Sequence, residues 1–214
     1  MNDQRNELLH AGIEQLDLNL VEGTEEKLLG YLMLLSKWNR IYNLTAVRDE
    51  KAMISQHLLD SLAVLPHLTG DSFKIQTLAD VGSGGGLPGI PLAIACPQLK
   101  VTLIESSHKK ASFLQQAKIE LGLPNVSVHC GRVEDFTPVG LFDAAITRAF
   151  SSLAEFVKHS AHLLVQGGRL IAMKGIYPQQ EIAQLPINWQ ISQSISLAVP
   201  ELSAQRNLVI IKKT

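Results

Sequence analysis

The chain has 214 residues, of which 46% are hydrophobic and 18% charged, enough for one full-sized domain with a sizeable core, which excludes a disordered or fibrous chain. No run approaches the roughly 20 apolar residues of a membrane-spanning helix, and the polar start from Met1 to Glu7 leads into no signal-type apolar core, so a cytoplasmic protein without membrane contact is expected. Nineteen Lys and Arg against 20 Asp and Glu leave a formal charge of −1, which argues against indiscriminate coating of nucleic acid and confines any such contact to a local basic patch.

Up to about residue 68 the apolar positions recur at helical spacing, first through Leu8, Leu9, Ile13 and Leu16, then through Leu28, Leu29, Leu32 and Leu35. Thr24, after Gly23, is placed to cap the second helix. A third helix is expected after Asp49, carrying Ile54, Leu58, Leu59 and Leu62 towards Pro66. Residues 1–76 therefore read as a helical cap, and residues 77–214 as the main α/β core of one compact unit.

From residue 77 short apolar strands alternate with helices. Strands are predicted at Thr77 to Val81, Val101 to Glu105, Val126 to Cys130, Phe142 to Thr147 and Arg169 to Lys174. The helices between them run up to Pro97, from His108 to Gly122, and around Ser152 to Leu164. That alternation implies parallel pairing with right-handed crossovers, hence a doubly wound sheet covered on both faces. Trp189 to Ala198 and Asn207 to Lys212 leave no room for a crossover helix and should pair antiparallel through a turn near Pro200. Only Cys96 and Cys130 are present, in apolar segments and without CxxC spacing, so free buried thiols are expected and no metal site.

Asp80-Val81-Gly82-Ser83-Gly84-Gly85-Gly86 follows a strand and precedes a helix. Such glycines let the chain turn tightly and let a cofactor lie against bare backbone at the sheet's switch point. Two cofactors fit. Gly84, Gly86 and Gly89 also satisfy GxGxxG, with Glu105 about 20 residues on as a ribose acceptor, which keeps a nicotinamide-dependent oxidoreductase open. Asp80 favours S-adenosylmethionine, because a carboxylate at the strand tip repels a pyrophosphate but attracts ammonium and sulfonium charge.

Extended to Gly82-Ser83-Gly84-Gly85-Gly86-Leu87-Pro88-Gly89-Ile90-Pro91-Leu92 and read with Trp38-Asn39-Arg40-Ile41-Tyr42-Asn43-Leu44-Thr45, the chain resembles the bacterial 16S rRNA guanine-N7 methyltransferases, the glucose-inhibited division protein B family. Further matching pieces are His57-Leu58-Leu59-Asp60-Ser61-Leu62, Lys109-Lys110 with Phe113-Leu114, Gly131-Arg132-Val133-Glu134, Thr147-Arg148-Ala149-Phe150 and Lys174-Gly175. The resemblance implies a class I, Rossmann-like methyltransferase fold with a seven-stranded, mostly parallel sheet and an antiparallel C-terminal strand. It implies S-adenosylmethionine as cofactor, bound by Gly82, Leu87, Val133, Glu134 and Arg148, which join Asp80, Gly84, Gly86 and Glu105 read from the loop and the second strand. The implied partner is 16S rRNA or the small ribosomal subunit, contacted by Arg40, Asn43, His57, Lys109 and Lys174, with Lys37 and Lys110 completing a basic rim.

Guanine N7 has a free lone pair at neutral pH, so no obligatory catalytic base is expected, and Arg148 is a positioning residue. A catalytically silent RNA-binding protein of ribosome assembly would keep the same fold without turnover. Nothing in the sequence suggests more than a monomer or an obligate protein partner.

Overall fold

The helical spacing of the first third closes into a layer of helices laid on one face of a sheet. The structure, a computed structural model, describes residues 2–69, 75–148, 150 and 152–214; Ala149 of the Arg148 motif lies outside them. Helix α1 spans Asn2–Gln15 and α2 spans Thr24–Tyr42. The buried side of α2 carries Leu28, Tyr31, Leu32, Leu35 and Asn39, the i, i+3, i+4, i+7 pattern of one helix face. Thr24 is not the cap: Gly23, at φ 81°, turns the chain into the helix, and Thr24 is its first, buried residue. Asn43 ends α2 in the left-handed region at φ 50°, a conformation Asn tolerates.

Asp49 does cap the third helix, its Oδ2 accepting from the Ala52 amide at 2.7 Å. That helix runs as α3 (Glu50–Met53), a π-helical stretch (Ile54–Leu59) and α4 (Asp60–Leu62), followed by α5 (Pro66–Thr69). The π-helical stretch carries His57, and such stretches are frequent at functional sites.

The strands are β1 (Thr77–Val81), β2 (Lys100–Glu105), β3 (Val126–Cys130), β4 (Phe142–Thr147), β5 (Leu164–Lys174), β6 (Trp189–Ser196) and β7 (Asn207–Lys213). Between them stand α6 (Gly89–Ala95), α7 (His108–Glu120), α8 (Leu153–Ser160) and α9 (Gln179–Ile182). The sheet order is β3-β2-β1-β4-β5-β7-β6. The first five strands pair in parallel, and β7 is inserted antiparallel to both β5 and β6. The helix expected through Leu164 stops at Ser160, because a 3-10 turn at Ala161–Leu163 leads directly into β5, which starts at Leu164 rather than at Arg169.

One core joins the cap to the sheet: Leu28, Leu32, Leu58 and Leu62 pack with Leu78, Ile90, Leu103 and Phe113. The opposite face is covered by α8, with Leu153, Phe156 and Val157 against Ala79, Val81, Ile104 and Ile211. Alternate residues of β1 thus feed two different cores, the period-2 signature of a sheet covered on both sides. Cys96 is buried as expected, whereas Cys130 is exposed, because it ends the edge strand β3; its Sγ lies 3.2 Å from His108 Nδ1. No described helix is long and apolar enough to cross a membrane.

Candidate functional site

The sheet order reverses between β1 and β4, so the crevice at their carboxyl ends is where a doubly wound sheet binds ligands. The glycine loop occupies that point. Gly82 and Ser83 donate their amides to Ile104 O at 2.9 and 3.1 Å, which stitches the loop to β2. Gly82, Gly84 and Gly86 have φ of 72°, 56° and 86°. At Gly86 a Cβ would also stand 2.4 Å from Ile90 Cδ1, so both conformation and space require glycine.

Asp80 lies beneath this loop, fully buried. Its Oδ2 accepts from the Gly89 amide at 3.0 Å, and its Oδ1 has no partner among the described residues. Burial pushes the carboxyl up to about 7, opposed by the Gly89 amide and by the charge of Arg148. A Cβ at Gly89 would come 2.4 Å from Leu103 Cδ2 and 2.7 Å from Asp80 Oδ2. Gly89→Ala is therefore expected to cost about 1–3 kcal/mol by overpacking, read as a lower midpoint in urea unfolding, and to tilt the loop that Asp80 supports.

Above the loop a cleft of about 540 Å³ opens between the cap and the strand ends, within the size range of small-molecule sites. Gly82, Ser83, Gly84, Gly85 and Leu87 form one wall, Thr45 and His57 of the cap a second, and Arg148, Lys174 and Arg206 a third. The cap is tied to the loop by Tyr31, whose buried hydroxyl donates to Gly85 O at 2.5 Å. Loss of that single bond in Tyr31→Phe should cost about 1 kcal/mol of stability, measurable by urea titration, and should loosen the cleft wall.

His57 is buried, with Nε2 2.8 Å from Thr45 Oγ1 and Nδ1 unpartnered among the described residues. Burial lowers its pKa to about 4, so the ring is neutral at pH 7. Thr45 is itself fixed: its amide donates to Asn39 Oδ1 at 2.9 Å, and its Oγ1 accepts from Val47 N at 3.1 Å. Arg148, directly after β4, donates through Nη1 to Gln56 O at 3.3 Å and Asp60 Oδ2 at 3.2 Å. Asp60 Oδ1 in turn accepts from Arg206 Nε at 2.8 Å. Burial raises the Asp60 carboxyl, and the two guanidiniums oppose that rise.

Of the other predicted residues, Glu105, Val133, Glu134, Arg40, Asn43 and Lys109 are not among those that line this cleft. Glu105, ending β2, accepts from the Gly84 amide at 2.9 Å and from the Ser107 amide at 2.8 Å, so it braces the loop from the far side. Ser107 stands at the start of α7, its amide held by Glu105 Oε1. Val133 is buried in a 3-10 turn against the α8 core. Glu134 pairs with Arg132 at 2.9 Å and His159 at 3.0 Å; its own amide, then Arg132, holds its carboxyl below the usual range.

Arg40, Asn43 and Lys109 are exposed on the cap and on α7. Lys174 lines the cleft yet is not an uncommitted cation, because Glu181 on α9 holds its Nζ at 2.8 Å. Tyr31, Asn39, Thr45, Asp60 and Arg206 went without a role in the sequence, although Asn39 and Thr45 sit inside the quoted Trp38 to Thr45 piece and Asp60 inside the His57 to Leu62 piece. Among the described residues no cluster of His, Cys, Asp or Glu could hold a metal ion.

Known proteins share both this fold and this sequence. Among solved structures, the O-methyltransferase TomG from Streptomyces achromogenes, in complex with SAM, superposes with a TM-score of 0.60 at 15% identity, covering 98% of each chain. An O-methyltransferase from Bacillus cereus, in complex with SAH, gives 0.59 at 15% identity over 86% of this chain and 91% of that one. The fold is thus the class I methyltransferase fold. Proteins named Ribosomal RNA small subunit methyltransferase G are similar at 54% identity in Aromatoleum aromaticum, over 96% of this chain and 97% of the relative. Those of Nitrosospira multiformis and Neisseria meningitidis serogroup A are 52% and 51% identical, over 96% and 98% of this chain and 96% and 99% of theirs. A family model described as rRNA small subunit methyltransferase G matches residues 24–209. With that match over most of its length, and with relatives above 50% identity across nearly all of it, the chain belongs to the rRNA small subunit methyltransferase G family.

Proposed function

We propose that the chain methylates N7 of one guanine in 16S ribosomal RNA with S-adenosylmethionine as donor, acting as a cytoplasmic monomer on the small subunit or its RNA. The observation that carries this reading is 54% identity over 96% of the chain to a ribosomal RNA small subunit methyltransferase. The nicotinamide reading loses its footing at Gly89. The amide there, at the start of α6, would be offered to a pyrophosphate in a dinucleotide site, and it is already taken by the Asp80 carboxylate.

The residues present fit the donor. Asp80 keeps one buried oxygen beneath the loop without a partner among the described residues, and the glycine loop lines the cleft with Gly82 and Gly84, both of positive φ. S-adenosylmethionine, when bound, supplies a methyl carbon made electrophilic by its sulfonium. Gly82, Gly84, Gly86 and Leu87 would let it lie along the loop, and Glu105 would accept from its ribose hydroxyls. Val133 and Glu134 would flank the adenine, and Arg148 would bind its carboxylate or guanine O6.

The protein's own contribution is alignment. N7 needs no deprotonation, and the one histidine of the cleft wall, His57, is neutral at pH 7. Holding the two reacting atoms in line can remove on the order of 7–11 kcal/mol of barrier. A helical RNA hides N7 in its deep, narrow groove, so the target guanine must be unpaired or splayed into the cleft. Labelled-methyl transfer to unmodified small-subunit RNA tests the reading. Incorporation into RNA is expected, whereas donor binding without transfer would leave the silent assembly protein.

A further inference from the structure

We infer that Arg206, anchored by Asp60, forms a phosphate-binding subsite for the RNA strand at the mouth of the cleft, separate from the donor pocket. The inference rests on the reading of the chain as an RNA methyltransferase and names a residue and a ligand group that this reading leaves open.

The cleft wall carries three cationic side chains, Arg148, Lys174 and Arg206, and one carboxylate, Asp60. Lys174 is neutralised from outside the cleft by Glu181 at 2.8 Å. That leaves two guanidiniums sharing one carboxylate, with Arg148 Nη1 at 3.2 Å and Arg206 Nε at 2.8 Å. The Asp60 side chain is only 4% exposed, while those of Arg148 and Arg206 are 28% and 23% exposed. The carboxylate is a buried hub, and both arginine side chains keep part of their surface exposed.

A surplus guanidinium is electrostatically costly beside a donor whose own net charge is positive. An anion supplied by the substrate removes that cost, and the anion that RNA brings to every nucleotide is its phosphodiester. Arg206 suits this task. It arises from the segment just before β7, it uses Nε on Asp60 and Nη1 on Gln205 O at 3.0 Å, and its side chain lines the cleft while 23% exposed, with further donors on its planar fork. Arg148 follows β4, and its charge acts on Asp80 beneath the loop. The pair therefore divides the work: Arg148 faces the donor and base, and Arg206 faces the backbone of the strand that delivers the base.

The test compares wild type with Arg206→Gln and Arg206→Lys, using an unmodified small-subunit RNA transcript and S-adenosylmethionine. The Lys variant keeps a charge on Asp60 and guards against loss of folding, checked by urea unfolding. Donor affinity without RNA, by calorimetry, should stay within about twofold in both variants. KM for RNA should rise on the order of tenfold in Arg206→Gln and less in Arg206→Lys, and the slope of log KM against log salt should fall by about one in Arg206→Gln. An unchanged salt slope and KM for RNA would overturn the subsite. A matching loss of donor affinity would also overturn it, by reassigning Arg206 to the donor carboxylate. A wild type that binds donor but modifies no RNA would defeat the underlying reading, and the subsite with it.

Discussion

Asp60→Ala is expected to abolish methyl transfer and to lower stability by about 2–4 kcal/mol, the largest single loss predicted for a residue of the cleft. The carboxylate is buried in the cap and holds one guanidinium from the end of β4 and another from the approach to β7. Removing it leaves two cations sharing a half-buried space with no counter-charge. The cost lies at the lower end of that for a broken buried pair, because each arginine keeps partial access to water. The same substitution unfastens the cap from the strand ends, so the cleft walls lose their register. Urea unfolding gives the stability change, and single-turnover transfer gives the activity. A variant as stable as wild type would show that the arginines find other partners.

Asp80→Asn should separate folding from donor binding. The Asp80 carboxyl titrates near 7 in the fold, above its ordinary value of 3.8. The folded state therefore binds its proton more tightly than the unfolded chain does. Stability from this group is complete below about pH 4, is lost as pH rises towards 7, and stays lost above it. Asparagine can still accept from the Gly89 amide and never pays for a buried charge, so above pH 7 the variant should be at least as stable as wild type. Its donor affinity should nevertheless fall at least on the order of tenfold, because the buried negative charge under a cationic ligand is gone. In wild type, donor affinity should weaken as pH drops below about 7. Calorimetry at pH 6 and pH 8 checks both expectations, and equal donor affinities for the two proteins would remove Asp80 from the pocket's electrostatics.

The strands were legible because each is a short apolar run whose alternate residues serve two cores, as Leu78 and Ala79 do. The glycine loop was legible because a tight turn against neighbouring side chains leaves no substitute for glycine at Gly86. Boundaries slipped where local propensity yields to tertiary packing. Thr24 looks like a cap, yet Gly23 makes the turn and the threonine is buried; the strand after α8 extends back to Leu164 along its pairing with β4.

The unread part of the site is long-range. Asp60 and Arg206 are 146 residues apart, and Tyr31 and Gly85 are 54 apart. No periodicity marks either pair, because each depends on how the cap is seated on the sheet. Lys174 counts as basic rim in the sequence, which gives no sign of its pairing to Glu181 in the fold. Cys130 shows the same limit, since an apolar strand segment does not reveal that the strand is an edge.

The central claim is that this cleft aligns one guanine N7 with a sulfonium methyl, without a base. It is tested most directly by mass-spectrometric mapping of small-subunit RNA after incubation with the protein and isotopically labelled S-adenosylmethionine. The expected result is a single labelled guanosine carrying its methyl on N7. Label on a ribose oxygen or on another base atom, or RNA left without label by a protein that binds the donor, would contradict it.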